Sequence, residues 1–443
     1  MRSADATSEE IDKLYRAVAE REPAIEILQM IYDIFGSNFN LRPPRDELRL
    51  ADRCATGGVS PMADLYFRVH RSQLLPALMA AIEAVDHRAK IPVLANVLLK
   101  PRAGELVVRG TDLDIEIEAV CDLLDEGIAM AVTLKAADLR DIVKNLPETS
   151  EIEFRSSRSH GQVEISAGRS KFSISSLPEA DFPSIATALS GSVFQIDMAE
   201  VCHALAKVAY AVLKVETGRA YLTGIHIRPI EAGRKIDFVA ADGRGMALVR
   251  IDTGGEVDFA GILLSLKTAG AIRKIFAEAR EPARIEIGPN MISVACGGVS
   301  LFSRLIDGVF PPNYMEIIPT DPERTAVTTV AALSAAVTRV SLVGTELDKD
   351  SIYVTLGEGV MRVELSSKDG ESAVDYVPIE YDGDDGYYTG FNRKTLADTL
   401  ASLSTQDVRI SFGGSQPNVV FKPVADLDET FVISPLRVRS EAA

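Results

Sequence analysis

Internal repetition limits what this chain can fold into more than any other feature of it. After about residue 65, one unit of helix, strands, helix and strands recurs three times. The second helix of each unit reads LKAADLRDIVKNL from Leu134, LSLKTAGAIRKIFAEA from Leu264 and FNRKTLADTLASL from Phe391, with starts 130 and 127 residues apart. Each has apolar residues at helical spacing and basic residues near its start or on the other face. Short alternating strands broken by Gly, Ser, Asn or Pro turns follow all three.

The first half of each unit matches as well. The helices RSQLLPALMAAIEAV, MAEVCHALAKVAYAV and VAALSAAVTRVSLV each precede a strand ladder, such as NVLLKPRAGELVVRGTDLDIEIE in the first unit. Each unit is therefore a doubled helix-plus-strands module, and the fold class is α+β. The expected domains are 66–190, 191–322 and 323–443. Residues 1–65 stand outside the repeat, with possible helices at Glu9–Ala19 and Ala24–Phe35 and a Gly-Gly-Val-Ser-Pro linker.

A chain of 443 residues is long enough for about three domains, and 47% apolar residues can build their cores. The four cysteines, Cys54, Cys121, Cys202 and Cys296, are scattered without a CxxC pair. That favours free thiols in a reducing cytoplasm over a zinc site or disulfide framework. No secretion signal and no run of 18 apolar residues is present, so neither export nor a membrane span is expected.

Catalytic signatures are missing too. The five histidines are isolated, and there is no GxxxxGK[ST] loop, complete GxGxxG or GxSxG elbow. Asp112 and Asp114 could suggest a carboxylate site, but Asp242 and Asp369 recur at comparable repeat positions, which favours a turn role. No cofactor, metal or catalytic activity is expected.

Charge is segregated. The chain carries −17 overall, which on average repels phosphate. The six candidate helices, taken as 71–86, 135–146, 198–214, 265–280, 330–343 and 391–404, hold thirteen basic and seven acidic residues. Their net of +6 leaves −23 for the remainder. Six such helices on one surface would attract a polyanion weakly and without reading its sequence.

At the level of motifs the chain resembles the bacterial sliding clamps, the beta subunits of DNA polymerase III. The resemblance runs from about Asp64 to Val438. It rests on IPVLANVLL at Ile91–Leu99, GTDLDIEIE at Gly110–Glu118, GRSKFSISSLPEADFP at Gly168–Pro183, YLTGIHI at Tyr221–Ile227, SRLIDGVFPPNY at Ser303–Tyr314, GFNRKTLADTL at Gly390–Leu400 and FVISPLRV at Phe431–Val438. It implies three similar clamp domains per subunit and a head-to-tail homodimeric ring around double-stranded DNA. Helices would line the hole and continuous sheet would form the rim. The implied partners are the polymerase III alpha subunit, the clamp loader and other proteins carrying a clamp-binding motif. A repeat-built interaction scaffold that never encircles DNA is the rival reading.

The resemblance also implies site residues. Arg88, Lys144, Lys207, Lys267 and Lys274 would face DNA. Phe172 and Ile174, on a strand with one apolar face, would meet Leu342 and Val343 of a second subunit, with Arg169 and Lys171 pairing acids such as Glu371 or Asp375. A partner-peptide pocket would be lined by Arg219, Tyr221, Leu222, Ala241, Gly243, Arg244, Met246, Pro311, Ile317, Asn418, Val432, Ser434, Pro435, Leu436 and Arg437. The chain departs from the family pattern at Ala241, Arg244, Gly245, Glu316, Ser434 and Leu436, and the final RSEAA extends past the usual end. These changes imply a smaller, more polar pocket with an altered peptide preference.

Overall fold

The computed structural model describes residues 65–126, 130–157, 161–185, 189–215, 218–344, 351–366, 370–413, 417–425 and 428–436. The two helices expected before residue 36, and Asp369, Arg437 and the final RSEAA, lie outside these residues.

Six α-helices occur among the described residues, two in each repeat: α1 (Arg71–Ile82), α2 (Ala136–Asn145), α3 (Met198–Val208), α4 (Leu266–Phe276), α5 (Val330–Val340) and α6 (Arg393–Ser402). All six fall where the repeat places them. Four begin on a side chain that satisfies an exposed backbone donor of the first turn. The acceptors are Asp197 for Ala199 N–H at 2.8 Å, Ser265 for Thr268 at 3.0 Å, Thr329 for Ala332 at 3.1 Å and Asn392 for Thr395 at 3.0 Å. The helices are shorter than their apolar patterning suggests. α3 gives way after Val208 to a 3-10 turn at Ala209–Ala211, and α5 to one at Ser341–Val343. Ala209–Ala211 and Val343 still bury or half-bury apolar side chains, so hydrophobic spacing alone overruns the helix end. On the shorter spans the helices hold ten basic and four acidic residues, and the net of +6 is unchanged.

The helices of each repeat pack on each other, α1 on α2, α3 on α4 and α5 on α6. The first of each pair lies on the third strand of its ladder: α1 on Ile115–Asp122, α3 on Gly245–Asp252 and α5 on Ser372–Pro378. Close helix-on-sheet packing explains Gly110, where a Cβ would sit 2.1 Å from the Ala81 carbonyl oxygen.

That third strand also joins the repeats. Ile115–Asp122 pairs antiparallel with Val299–Arg304 of the second repeat, from Ile115 opposite Ser303 to Ala119 opposite Val299. Gly245–Asp252 pairs with Glu429–Ile433 of the third, from Gly245 opposite Ile433 to Val249 opposite Glu429. Both inter-repeat seams are therefore unbroken sheet, in a 13-stranded and a 9-stranded array. Among the described residues, the third repeat's equivalent, Ser372–Pro378, pairs on one side only and ends its four-stranded sheet. In the first repeat, Ser170–Leu177 pairs with Gln162–Ala167 along most of its length, while among the described residues its far side is met only at Ser176 and Leu177.

Candidate DNA-facing surface and partner pocket

The cations of the helices are more occupied than a residue count suggests. Lys144, in the last turn of α2, is exposed, as is Arg88 in the turn after α1. Lys267 and Lys274 are exposed on α4, and each also reaches a carboxylate of the first repeat. Lys267 pairs with Asp112, and Lys274 Nζ lies 2.7 Å from Glu83 Oε2. They therefore fasten the seam between the first two repeats while presenting charge at its surface.

Lys207 contradicts its expected place on the DNA-facing surface. It is 7% exposed. Its Nζ donates to the Ser402 carbonyl at 2.5 Å and to Ser404 Oγ at 2.8 Å, and stands 3.3 Å from Glu429 Oε2. Glu429 is itself buried, and its other oxygen faces His203 Nε2 at 2.8 Å. Lys207 neutralises a buried carboxylate where the second repeat meets the third. A group held there cannot reach a phosphate outside.

The two expected turn aspartates behave alike. Asp112 Oδ1 accepts the N–H groups of Asp114 and Ile115, and Asp242 Oδ1 accepts those of Arg244 and Gly245. This side-chain-to-backbone turn is a structural device and needs no catalytic explanation.

The expected pocket residues converge. Leu222, Met246 and Val432 are buried in one apolar cluster separate from the main cores, with Tyr221 and Ala241 packed against it. Leu222 and Tyr221 come from the 3-10 turn Ala220–Leu222, behind exposed Arg219. Ala241 ends Lys235–Ala241 and Met246 sits in Gly245–Asp252. Between them Gly243 turns the chain at φ +86°. Gly245 lets the third repeat approach: a Cβ there would lie 2.9 Å from the Val432 carbonyl oxygen and 3.3 Å from Thr395. The cluster also contains Val239, Leu248, Leu263, Phe310 and Tyr314, which sequence reasoning missed. The aromatic spacing in VFPPNY was the available signal.

The rim is polar and cross-braced. Asn418 Nδ2 donates to the Ile317 carbonyl at 2.9 Å, and Ser434 Oγ donates to Asn418 Oδ1 at 2.9 Å. Ser434 N–H donates to the Arg244 carbonyl, and Leu436 N–H to that of Gly390, both at 2.8 Å. Pro311, Pro435 and Leu436 are half-buried, whereas Ile317 and Ser434 are exposed. His226 stacks on Phe310 with centroids 4.8 Å apart, and burial pulls its pKa down to about 4.

The expected interface residues lie on the mostly open edge strand Ser170–Leu177 and in the turn Ser341–Val343, which packs beside Ser372–Pro378. Phe172 and Ile174 are half-buried against the first core, while Ser173 and Ser175 face out. Leu342 is 81% exposed, and Val343 packs on the core that the second and third repeats share. The edge strand Ser372–Pro378 adds exposed Val374 and Tyr376, which the sequence reading did not single out. Asp375, expected to pair across a joint, already accepts from Arg339 Nε at 2.5 Å, and this bond lowers its pKa.

Comparison with known proteins follows the same three-part division. Models of the DNA polymerase III beta subunit match in chain order: its N-terminal domain over residues 65–186, its central domain over 195–312 and its C-terminal domain over 315–437. The chain belongs to the DNA polymerase III beta subunit family. A beta sliding clamp of Caulobacter vibrioides is 30% identical over 379 residues, covering 84% of this chain and 99% of that one. The beta sliding clamp of Escherichia coli K12 is 26% identical over 372 residues, covering 84% and 100%. Among solved beta subunits, a Caulobacter crescentus sliding clamp superposes with a TM-score of 0.78 at 27% identity, covering 84% of this chain and all of that one. A Pseudomonas aeruginosa sliding clamp bound to griselimycin gives 0.78 at 26% identity, covering 84% and 99%. The three-domain clamp fold is shared along nearly the whole length of these relatives, which favours a clamp over an interaction scaffold.

Proposed function

We propose that this beta subunit is a DNA sliding clamp whose two copies join head to tail around duplex DNA and hold the replicative polymerase and other partners there. One observation carries the reading. Within the chain, the third ladder strand of one repeat pairs with the last strand of the next, first at Ile115–Asp122 with Val299–Arg304 and again at Gly245–Asp252 with Glu429–Ile433. Among the described residues, the third repeat keeps the donor strand Ser372–Pro378 with its outer edge open, and the first repeat keeps the acceptor strand Ser170–Leu177 with most of one edge open. A second copy supplies the missing match at both ends. A long exposed edge is a liability that closure removes, and two such joints close a C2 ring. Phe172, Ile174, Leu342 and Val343 belong to those joints, with Val374 and Tyr376 beside them.

A closed ring retains DNA by topology, so its lining needs only weak, sequence-independent phosphate contacts that permit sliding. The helices' +6 in a chain of −17 suits that lining. Arg88, Lys144, Lys267 and Lys274 are the cations assigned to it. No step of this task requires a catalytic group. The cluster around Leu222, Met246 and Val432 is the docking site for short extended peptide segments of the polymerase III alpha subunit, the clamp loader and other partners, in the manner of an apolar pocket with a polar rim. Ser434, held by Asn418, makes that rim more polar than the family pattern.

The test is topological. The protein is loaded on nicked circular DNA by its cognate clamp loader and isolated by gel filtration. Linearising the DNA should release it within minutes. Retention on linear DNA, or a failure to load at all, would reject the clamp reading.

A further inference from the structure

Beneath the pocket lies a buried charge that peptide docking does not itself require. Asp237 and Arg250 face each other on neighbouring strands, and Asp237 is 1% exposed. Its Oδ1 accepts from Arg250 Nε at 2.7 Å. Its Oδ2 accepts from Arg250 Nη2 at 3.2 Å and from the Tyr314 hydroxyl at 2.7 Å. Tyr314 is 2% exposed, with its ring edge-on to Phe310 at 5.9 Å and to His226 at 6.1 Å.

Tyr314 opens the short turn Tyr314–Ile317, the linker wall of the pocket. The same turn exposes Met315 and Ile317, at 45% and 39%. Its far end is held by Asn418 through the Ile317 carbonyl, and Asn418 is held by Ser434. Arg250 donates its own backbone N–H to the Asp428 carbonyl in the third repeat at 2.9 Å. One buried carboxylate thus ties two floor strands to the linker wall, beside the seam.

Burying a carboxylate is costly, and an apolar group of similar volume would often serve stability as well. What the ionic arrangement adds is direction, because one carboxylate holds both Arg250 on the neighbouring strand and the Tyr314 hydroxyl of the wall. We infer that Asp237, Arg250 and Tyr314 form a positioning element that sets the Tyr314–Ile317 wall for partner-peptide capture. This rests on reading the cluster as the partner pocket. Asp237 and Tyr314 act through the wall and do not touch the peptide.

The experiment uses the full chain and two readouts: affinity for the cognate polymerase III alpha subunit by surface plasmon resonance, and hydrogen exchange at the Glu316 and Ile318 amides. Those amides donate to the Asn313 and Met315 carbonyls at 3.0 and 3.1 Å. Tyr314→Phe keeps the ring packing and removes only the hydroxyl. It should weaken alpha binding by roughly fivefold and speed exchange at both amides, in keeping with loss of one charge-assisted hydrogen bond. Asp237→Asn keeps one carbonyl oxygen but turns an amide NH2 toward either Arg250 or Tyr314, so it and Asp237→Ala should both behave like Tyr314→Phe. A purely structural role would lower the urea midpoint of all three variants and leave alpha affinity unchanged. Unchanged exchange in Tyr314→Phe, or faster exchange with unchanged affinity, overturns the inference. Failure of the unmodified protein to bind alpha rejects the pocket reading instead, and the exchange measurement alone then decides whether Asp237 holds the wall.

Discussion

Replacing Lys207 by alanine should unfold the seam between the second and third domains more easily without loosening the ring's hold on DNA. Lys207 is 7% exposed and Glu429 is 3% exposed. The substitution removes two hydrogen bonds and the ion pair at 3.3 Å, and leaves Glu429 facing only His203, whose side chain is 45% exposed. Removing one partner of a buried pair costs about 3–5 kcal/mol, because the remaining charge stays desolvated. The partial compensation by His203 places the expected loss near the lower end, about 3 kcal/mol. Urea unfolding monitored by circular dichroism reads this as a lower midpoint for the transition that includes the second and third domains. Lys207→Met combined with Glu429→Gln removes both charges and should recover most of the loss. The salt dependence of DNA retention should not change in Lys207→Ala. Normal stability together with a shallower salt dependence would show that Lys207 faces phosphate after all, and would refute the assignment.

Three further expectations follow from the same geometry. Phe172→Asp and Leu342→Asp should each give a folded monomer by light scattering, because each places a carboxylate in a joint and neither removes a fully buried core side chain; a dimer in both would contradict the edge assignment. Lys274→Ala should lower the slope of log affinity for DNA against log salt by about 1, uniformly across sequences; an unchanged slope would mean that Glu83 keeps Lys274 from DNA. His226, held at a pKa of about 4, binds a proton in the unfolded chain from pH 6.5 downward but in the folded chain only near pH 4. Stability should therefore fall across that window by at most about 3 kcal/mol, and His226→Gln should flatten the fall in urea titrations at pH 7.5 and 5.

The fold was readable because its signals are local. Each helix carries an apolar stripe, four carry a capping side chain, and each ladder alternates between short turns. The triplication then multiplied a weak pattern into a specific one. Helix ends were less readable, because Ala209–Ala211 and Val343 keep packing apolar side chains after the α-helix has stopped. The pocket's apolar members were found through motif resemblance. Its foundations were not, since Asp237 and Tyr314 are 77 residues apart and nothing local announces their hydrogen bond. Lys207 failed for a related reason. At the level of sequence, a lysine near the end of an amphipathic helix looks solvated, and only the arrival of Glu429 from the last strand makes it a core residue. Long-range polar pairing was the level at which sequence pattern lost its grip.

Closure of the two open edges on each other is the claim that the rest depends on. Cysteines placed on them by Ser173→Cys and Val374→Cys, joined with a short bis-maleimide after loading on nicked circular DNA, would seal both joints covalently. In denaturing detergent, the protein should stay with the intact circle and come free once the circle is cut. Release from the uncut circle, despite complete cross-linking, would contradict the account.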